Sequence, residues 1–270
     1  MRSLTTLLHS ARLPHCIAIA AITWVTSLYS GGLLFNPPKQ AAIAIVVLLT
    51  AGVSMMHFSH LQQMYLRKGD DWVTDANPVK LQIVAFFCDA GAFVAAFYWL
   101  PQAFVPVFAI ILLSALYTWI LSRHWQTKTP TILLIVLSPF LIGWIAGNRT
   151  GAFPWLPFIT IGCLLTAREL IKDVQDIEID RAEYRATLPI RFGAKPTKFI
   201  IGIFMTVGIL LPFAEMLLYT GWCALPYTAV IILIVWAVTS LQYRYKWVPT
   251  TLLFAAIVCV IAGMLVQILS

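Results

Sequence analysis

Residues 172–193 read KDVQDIEIDRAEYRATLPIRFG. Three carboxylates, Asp173, Asp176 and Asp180, stand here at spacings of three and four residues. On a continuous helix of about 3.6 residues per turn that spacing puts them along one face. Arg168, Glu169 and Lys172 precede them, and Arg181 and Arg185 follow. On either side charge almost vanishes. Of the 270 residues, 60% are hydrophobic and 11% are charged, where a soluble domain carries about 25% charged residues. The chain is therefore read as a polytopic membrane protein that gathers its carboxylates at one place.

Nine apolar segments are predicted, at roughly 14–35, 40–62, 80–100, 103–122, 130–147, 153–171, 198–219, 223–241 and 248–269. Each is close to the ~20 residues a helix needs to cross the hydrocarbon core. The expected fold is all-α: one domain, residues 1–270, forming a bundle of about nine transmembrane helices with a polar rim. Pro37-Pro38, Pro101, Pro106, Pro130, Pro154 and Pro226 fall at or near the junctions, where proline breaks least. The first apolar run is longer than a signal-peptide core and shows no clear small-residue cleavage site, so no cleavable signal is expected.

The loops alternate in charge. The N-terminal segment (Arg2, Arg12) and the loops after segments two, four, six and eight carry Arg67 and Lys68, Arg123 and Lys128, the Arg-rich stretch 181–198, and Arg244 and Lys246. The intervening loops are nearly neutral. The positive-inside rule then places the N-terminus and the basic loops on the cytoplasmic side and Ser270 on the opposite side. A formal charge of +7 so distributed points to topology, anionic membrane lipid and anionic substrates, and not to nucleic acid. The five cysteines lie in or near apolar runs without paired spacing and are read as small hydrophobes.

Carboxylates sharing a helix face repel unless a neighbouring base or a cation neutralises them. Mg²⁺ prefers carboxylate oxygens and keeps positions open for phosphate oxygens. Lys and Arg beside it hold the remaining phosphate charge. The cluster suits a Mg²⁺–diphosphate site at the membrane surface. A solvated, salt-bridged loop helix is the competing reading of the same residues.

The segment resembles the second aspartate-rich motif of the UbiA superfamily of intramembrane prenyltransferases, (N/K)DxxDxxxD followed by TLPxxxG. Here it stands as Lys172-Asp173, Asp176 and Asp180, then Thr187-Leu188-Pro189 and Gly193. Arg12-Leu-Pro14 is similar to the family's entry to span 1, and Tyr117–Arg123 to its YSxxLKR segment, with Ser122 where lysine is common. The resemblance implies a nine-helix bundle that transfers a polyprenyl group from its diphosphate to an acceptor, with Mg²⁺ held by aspartates. It assigns metal and catalytic roles to Asp173, Asp176 and Asp180. If transfer takes place, Lys172, Arg181 and Arg185 are read as diphosphate-binding, Arg123 either as a further such residue or as a topology residue, and Tyr117 of the substrate chamber either as stabilising a cation or as packing.

The family's first motif, NxxxDxxxD, has no intact counterpart. Distance from span 1 selects His57, Leu61 and Tyr65. Aligning Asn77-Pro78 selects Gln62, Leu66 and Asp70. Requiring two carboxylates one helical turn apart selects Arg67, Asp71 and Asp75. His57 and His60 are read either as interfacial polar residues or as acid–base groups. Asp89, deep in an apolar run, either is neutral or lines the substrate chamber. With one half-site altered, a terpene cyclase, an enzyme moving a phosphoribosyl group to a lipid phosphate, and a non-catalytic lipid-binding membrane protein stay open as alternatives.

Overall fold

The computed structural model describes residues 13–31, 36–67, 77–121, 124–147, 152–182, 185–218, 224–240 and 248–269. Among these residues nine long helices occur: α1 (Leu13–Tyr29), α2 (Pro37–Arg67), α3 (Pro78–Trp99), α4 (Phe104–Trp119), α5 (Trp125–Ala146), α6 (Trp155–Gln175), α9 (Ala194–Leu218), α10 (Ala224–Ser240) and α11 (Val248–Leu269). Two short helices, α7 (Ile177–Ala182) and α8 (Leu188–Phe192), lie between α6 and α9. The only β pairing among the described residues is an isolated bridge between His124 and Ala186. The apolar segments read from the sequence thus coincide with helices. Among the described residues six are long and apolar enough to cross a membrane, and the protein is an integral, multi-pass membrane protein.

Helix starts follow local chemistry. At α3 the Asn77 side chain accepts a hydrogen bond from the Val79 N–H at 2.9 Å, and Pro78 occupies the first turn, where its missing N–H costs nothing. At α2 the Asn36 side chain accepts from the Lys39 N–H at 3.0 Å, ahead of Pro37 and Pro38. Large apolar side chains such as Phe86, Phe87, Phe97 and Phe199 are exposed, as expected for surfaces that face lipid. Tyr98 and Trp99 close α3 and are likewise exposed, matching the aromatic belt of a membrane–water boundary.

The chain forms two compact units: Met1–Trp119 with Ser138–Ala152, and Ile120–Leu137 with Phe153–Ser270. In the first, α1 packs on α2, α2 on α3 and α4, and α3 on α4. Small residues permit this, because lipid offers no hydrophobic drive between helices and close backbone approach must supply the packing. Ala42, Ala85, Ala92 and Ala96 are fully buried. Gly143 and Gly147, in and just after the second half of α5, lie against the Thr23 and Ser27 carbonyls of α1. Nearby the Ser30 hydroxyl donates to the Trp144 carbonyl at 2.7 Å.

In the second unit α6, α9, α10 and α11 form a ring of neighbours, α6 touching both α9 and α11. Gly208 of α9 fits between Leu164 of α6 and Ile234 of α10. At one end of this ring Gln267 donates to Glu215 at 3.0 Å and to Tyr227 at 2.7 Å, tying α9, α10 and α11 together through buried polar groups.

Candidate functional site

The aspartate-rich segment does not run as one helix. α6 stops at Gln175, Asp176 takes φ −104° and ψ 16°, and α7 begins at Ile177. Hydrogen bonds carry across the break: the Asp176 N–H donates to the Lys172 carbonyl at 2.8 Å and the Asp180 N–H to the Asp176 carbonyl at 2.8 Å. The single helix face expected for the three aspartates is therefore replaced by a bend. Asp173 and Asp180 are buried, and Asp176, at the bend, is exposed.

The bend brings Asp173 and Asp180 to one cation. Lys128, in the first turn of α5, places its Nζ 2.5 Å from Asp173 Oδ1 and 3.9 Å from Asp180 Oδ2. On an unbroken helix residues seven apart are separated by about 10 Å along the axis, beyond the span of one ammonium. Asp180 also lies 3.7 Å from Arg185 Nη1. The start of α5 is held beside this segment by the His124–Ala186 bridge and by the edge-to-face contact of Trp125 with Phe192, centroids 5.0 Å apart. Sequence reasoning saw Lys128 only as a loop charge. Its separation from Asp173, 45 residues along the chain, carries no local signal.

The Thr187–Gly193 segment has a definite shape. Thr187 is extended, Pro189 lies in the first turn of α8, and the Gly193 N–H caps it by donating to the Pro189 carbonyl at 2.9 Å. Gly193 has φ 93° and ψ 161°, a region open only to glycine. The Thr197 hydroxyl then donates to the Gly193 carbonyl at 2.9 Å, fixing the start of α9.

Around the pair the charges are interleaved. Glu169 accepts from Arg168 at 2.7 Å and from Lys172 at 2.9 Å. The Nε of Arg168 is buried without a hydrogen-bond partner. Arg181 is exposed. Asp173 lies beyond the apolar segment that ends near residue 171; burial pushes its carboxyl up to about 6, against the opposing pull of the Lys128 ammonium. Lys128, with Arg185 beside Asp180, is set against the desolvation of the two buried carboxylates.

The remaining predicted residues fall elsewhere. Arg123, Asp70, Asp71 and Asp75 lie outside the described residues, as does the side chain of Gln62. In the first unit His57 of α2 faces Tyr117 of α4, rings 6.2 Å apart and tilted by 43°. Asp89 of α3 packs against Gly52 of α2, its Oδ1 buried without a hydrogen-bond partner.

Among the described residues no three His, Cys, Asp or Glu side chains stand together as a ready-made metal centre. The donor set still fits Mg²⁺. That ion is typically bound by one or two carboxylates, with water and substrate phosphate completing the octahedron. Asp173 and Asp180 supply two hard oxygen donors converging on one point already occupied by positive charge.

Comparison with known proteins gives the family. The model of the UbiA prenyltransferase family matches residues 76–257, more than half the chain and including the whole aspartate segment. The chain belongs to the UbiA prenyltransferase family, and is an enzyme of the prenyltransferase class. A digeranylgeranylglyceryl phosphate synthase from Natronomonas pharaonis is 26% identical over 266 residues, covering 93% of this chain and 94% of the relative. A UbiA homologue from Aeropyrum pernix K1 superposes with TM-score 0.74 at 15% identity, covering 94% of this chain and 98% of the other. A UbiA homologue from Archaeoglobus fulgidus, bound to DMAPP and Mg²⁺, superposes with TM-score 0.69 at 12% identity, covering 97% and 98%. At these identities the solved structures establish the fold.

Proposed function

We propose that residues 1–270 act as one Mg²⁺-dependent prenyltransferase domain, moving a polyprenyl group from its diphosphate to an acceptor within the membrane. The observation that carries this is the convergence of Asp173 and Asp180 on one cation position inside a basic cluster. The Archaeoglobus homologue bound to DMAPP and Mg²⁺ supports it. Asp173 and Asp180, with Asp176 at the bend, would hold the ion. Bound there, Mg²⁺ would supply positive charge to the diphosphate oxygens as the C–O bond breaks. Lys172, Arg181, Arg185 and Arg123 take up the charge that accumulates on the leaving diphosphate. The allylic carbon left behind bonds to the acceptor oxygen, whose proton passes to the departing diphosphate. Helices rich in aliphatic and aromatic side chains exclude the water that would otherwise capture that carbon.

The acceptor class we propose is a glyceryl phosphate. It rests on the Natronomonas relative, which is named for making digeranylgeranylglyceryl phosphate. Arg168, with its buried Nε, is a reserve of positive charge for a second phosphate. The aspartate-bearing face is assigned to the cytoplasm by the basic loops.

The test is diphosphate release by the detergent-purified protein from a panel of prenyl diphosphates, with and without Mg²⁺ and with glyceryl phosphate or aromatic acceptors. Release that needs Mg²⁺ and the glyceryl phosphate is expected, with loss in Asp173→Ala and Asp176→Ala. Release without any acceptor, giving a closed terpene, would replace transfer by cyclisation. No release with any pair would overturn the reading.

A further inference from the structure

Lys128 is the feature that the proposed reaction leaves unexplained. Its side chain is 12% exposed, and its partners Asp173 and Asp180 are 5% and 4% exposed. The ammonium therefore sits out of bulk water, between two carboxylates assigned to the metal. A divalent cation and this ammonium compete for the same oxygens. The singly charged ammonium, shared between Asp173 and Asp180 with Arg185 beside the latter, is a weaker partner for these oxygens than a doubly charged ion at the same position. Lysine is also suited to leaving. Its charge is compact, on a flexible four-carbon stem with three rotatable donors, and it is not locked in the flat two-pronged geometry of arginine.

We propose that Lys128 is an internal counter-ion that holds Asp173 and Asp180 together before metal arrives, gives up their oxygens to the divalent cation, and turns to the substrate diphosphate. This rests on the diphosphate reading above and adds a residue and an order of events to it. Metal binding then exposes a cation for substrate, so metal alone binds against competition, and metal with diphosphate binds without it. The backbone around Lys128 need not move. The His124–Ala186 bridge and the Lys128 N–H donating to the His124 carbonyl at 2.9 Å keep the first turn of α5 in place while the side chain swings.

The proposal makes opposite demands on two affinities. Lys128→Met in the full-length, detergent-purified protein is to be compared with wild type in three assays. These are metal-free thermal melting, Mn²⁺ binding without diphosphate followed by the spectrum of free Mn²⁺, and calorimetric binding of inorganic pyrophosphate with saturating Mg²⁺. The melting temperature should fall, Mn²⁺ should bind several-fold tighter, and pyrophosphate should bind roughly 10- to 100-fold more weakly, the worth of a hydrogen bond to a charged group. Mn²⁺ binding that is unchanged or weaker would make Lys128 a structural strut and overturn the proposal. So would unchanged pyrophosphate affinity. If the methionine variant does not fold, Lys128→Arg decides: its fork grips both carboxylates, so Mn²⁺ alone should bind several-fold more weakly while pyrophosphate binding persists. Unchanged Mn²⁺ binding in that variant overturns the proposal. Wild type that binds neither Mn²⁺ nor pyrophosphate would remove the diphosphate reading itself. Wild type that binds both, with Lys128 variants identical to it, removes only the role of Lys128.

Discussion

Gly52 on α2 lies directly against the carboxylate of Asp89 on α3. A Cβ at residue 52 would collide with Asp89 Oδ1, and would stand 3.0 Å from Asp89 Cγ and 3.2 Å from the Ala85 carbonyl. The missing side chain is thus the space in which a carboxylate sits between two helices. Gly52→Ala should destabilise the protein by about 1–3 kcal/mol, the usual cost of overpacking. Asp89→Ala removes the clashing atoms, so the double variant should recover part of the loss. A melting cycle over the four proteins measures this, and strictly additive losses would show that the two residues do not share that space.

The three aspartates should separate by what they do to stability. Asp173→Ala strips the close partner from the sequestered Lys128 and leaves it Asp180 at 3.9 Å, so it should cost about 1.5–3 kcal/mol, and Asp180→Ala, which keeps the close pair, should cost less. Asp176 is exposed at the bend. Asp176→Ala should keep the stability within about 0.5 kcal/mol of wild type while still lowering diphosphate release by roughly 100-fold or more. Thermal melting beside a release assay checks both, and equal melting losses for all three would contradict the bend.

Gly193 should be intolerant of any side chain. Its φ of 93° with ψ of 161° costs a residue with a Cβ about 1–3 kcal/mol. Space is not the issue, since the nearest foreign atom to an added Cβ is Pro196 Cδ at 3.9 Å. Gly193→Ala should therefore lower the melting temperature through backbone strain alone, and loosen the α8–α9 junction that carries Thr187 and Pro189. Faster hydrogen exchange confined to residues 187–197 is the expected signature.

Two helical glycines should respond with opposite signs. Gly143 packs on the Thr23 backbone of α1, which has no flexible end to give way, whereas an added Cβ at Gly202 of α9 meets nothing within 4 Å. Gly143→Ala should destabilise by about 1–3 kcal/mol. Gly202→Ala should stabilise by about 0.5–1 kcal/mol through helix propensity. Melting of the two single variants in the same detergent decides it.

Composition and spacing alone determined the membrane class, the all-helical fold and the gathering of carboxylates and bases in residues 168–185. Those properties are local. Apolar runs near twenty residues must become helices where no water can satisfy the backbone, and Asn77-Pro78 or Pro189 with Gly193 mark ends by their own backbone limits. The motif around Asp173, Asp176 and Asp180 was legible for the same reason, because its residues are close in the chain. Its geometry was not. No proline or glycine announces the bend at Asp176, and the spacing alone read as one continuous face. Only the tertiary structure decided that Asp173 and Asp180 turn toward Lys128, because that contact depends on how the start of α5 is held against a segment some 45 residues away. The pairing of Gly52 with Asp89 has the same origin. Sequence showed a carboxylate in an apolar run, and the helix packed against it showed where that carboxylate fits.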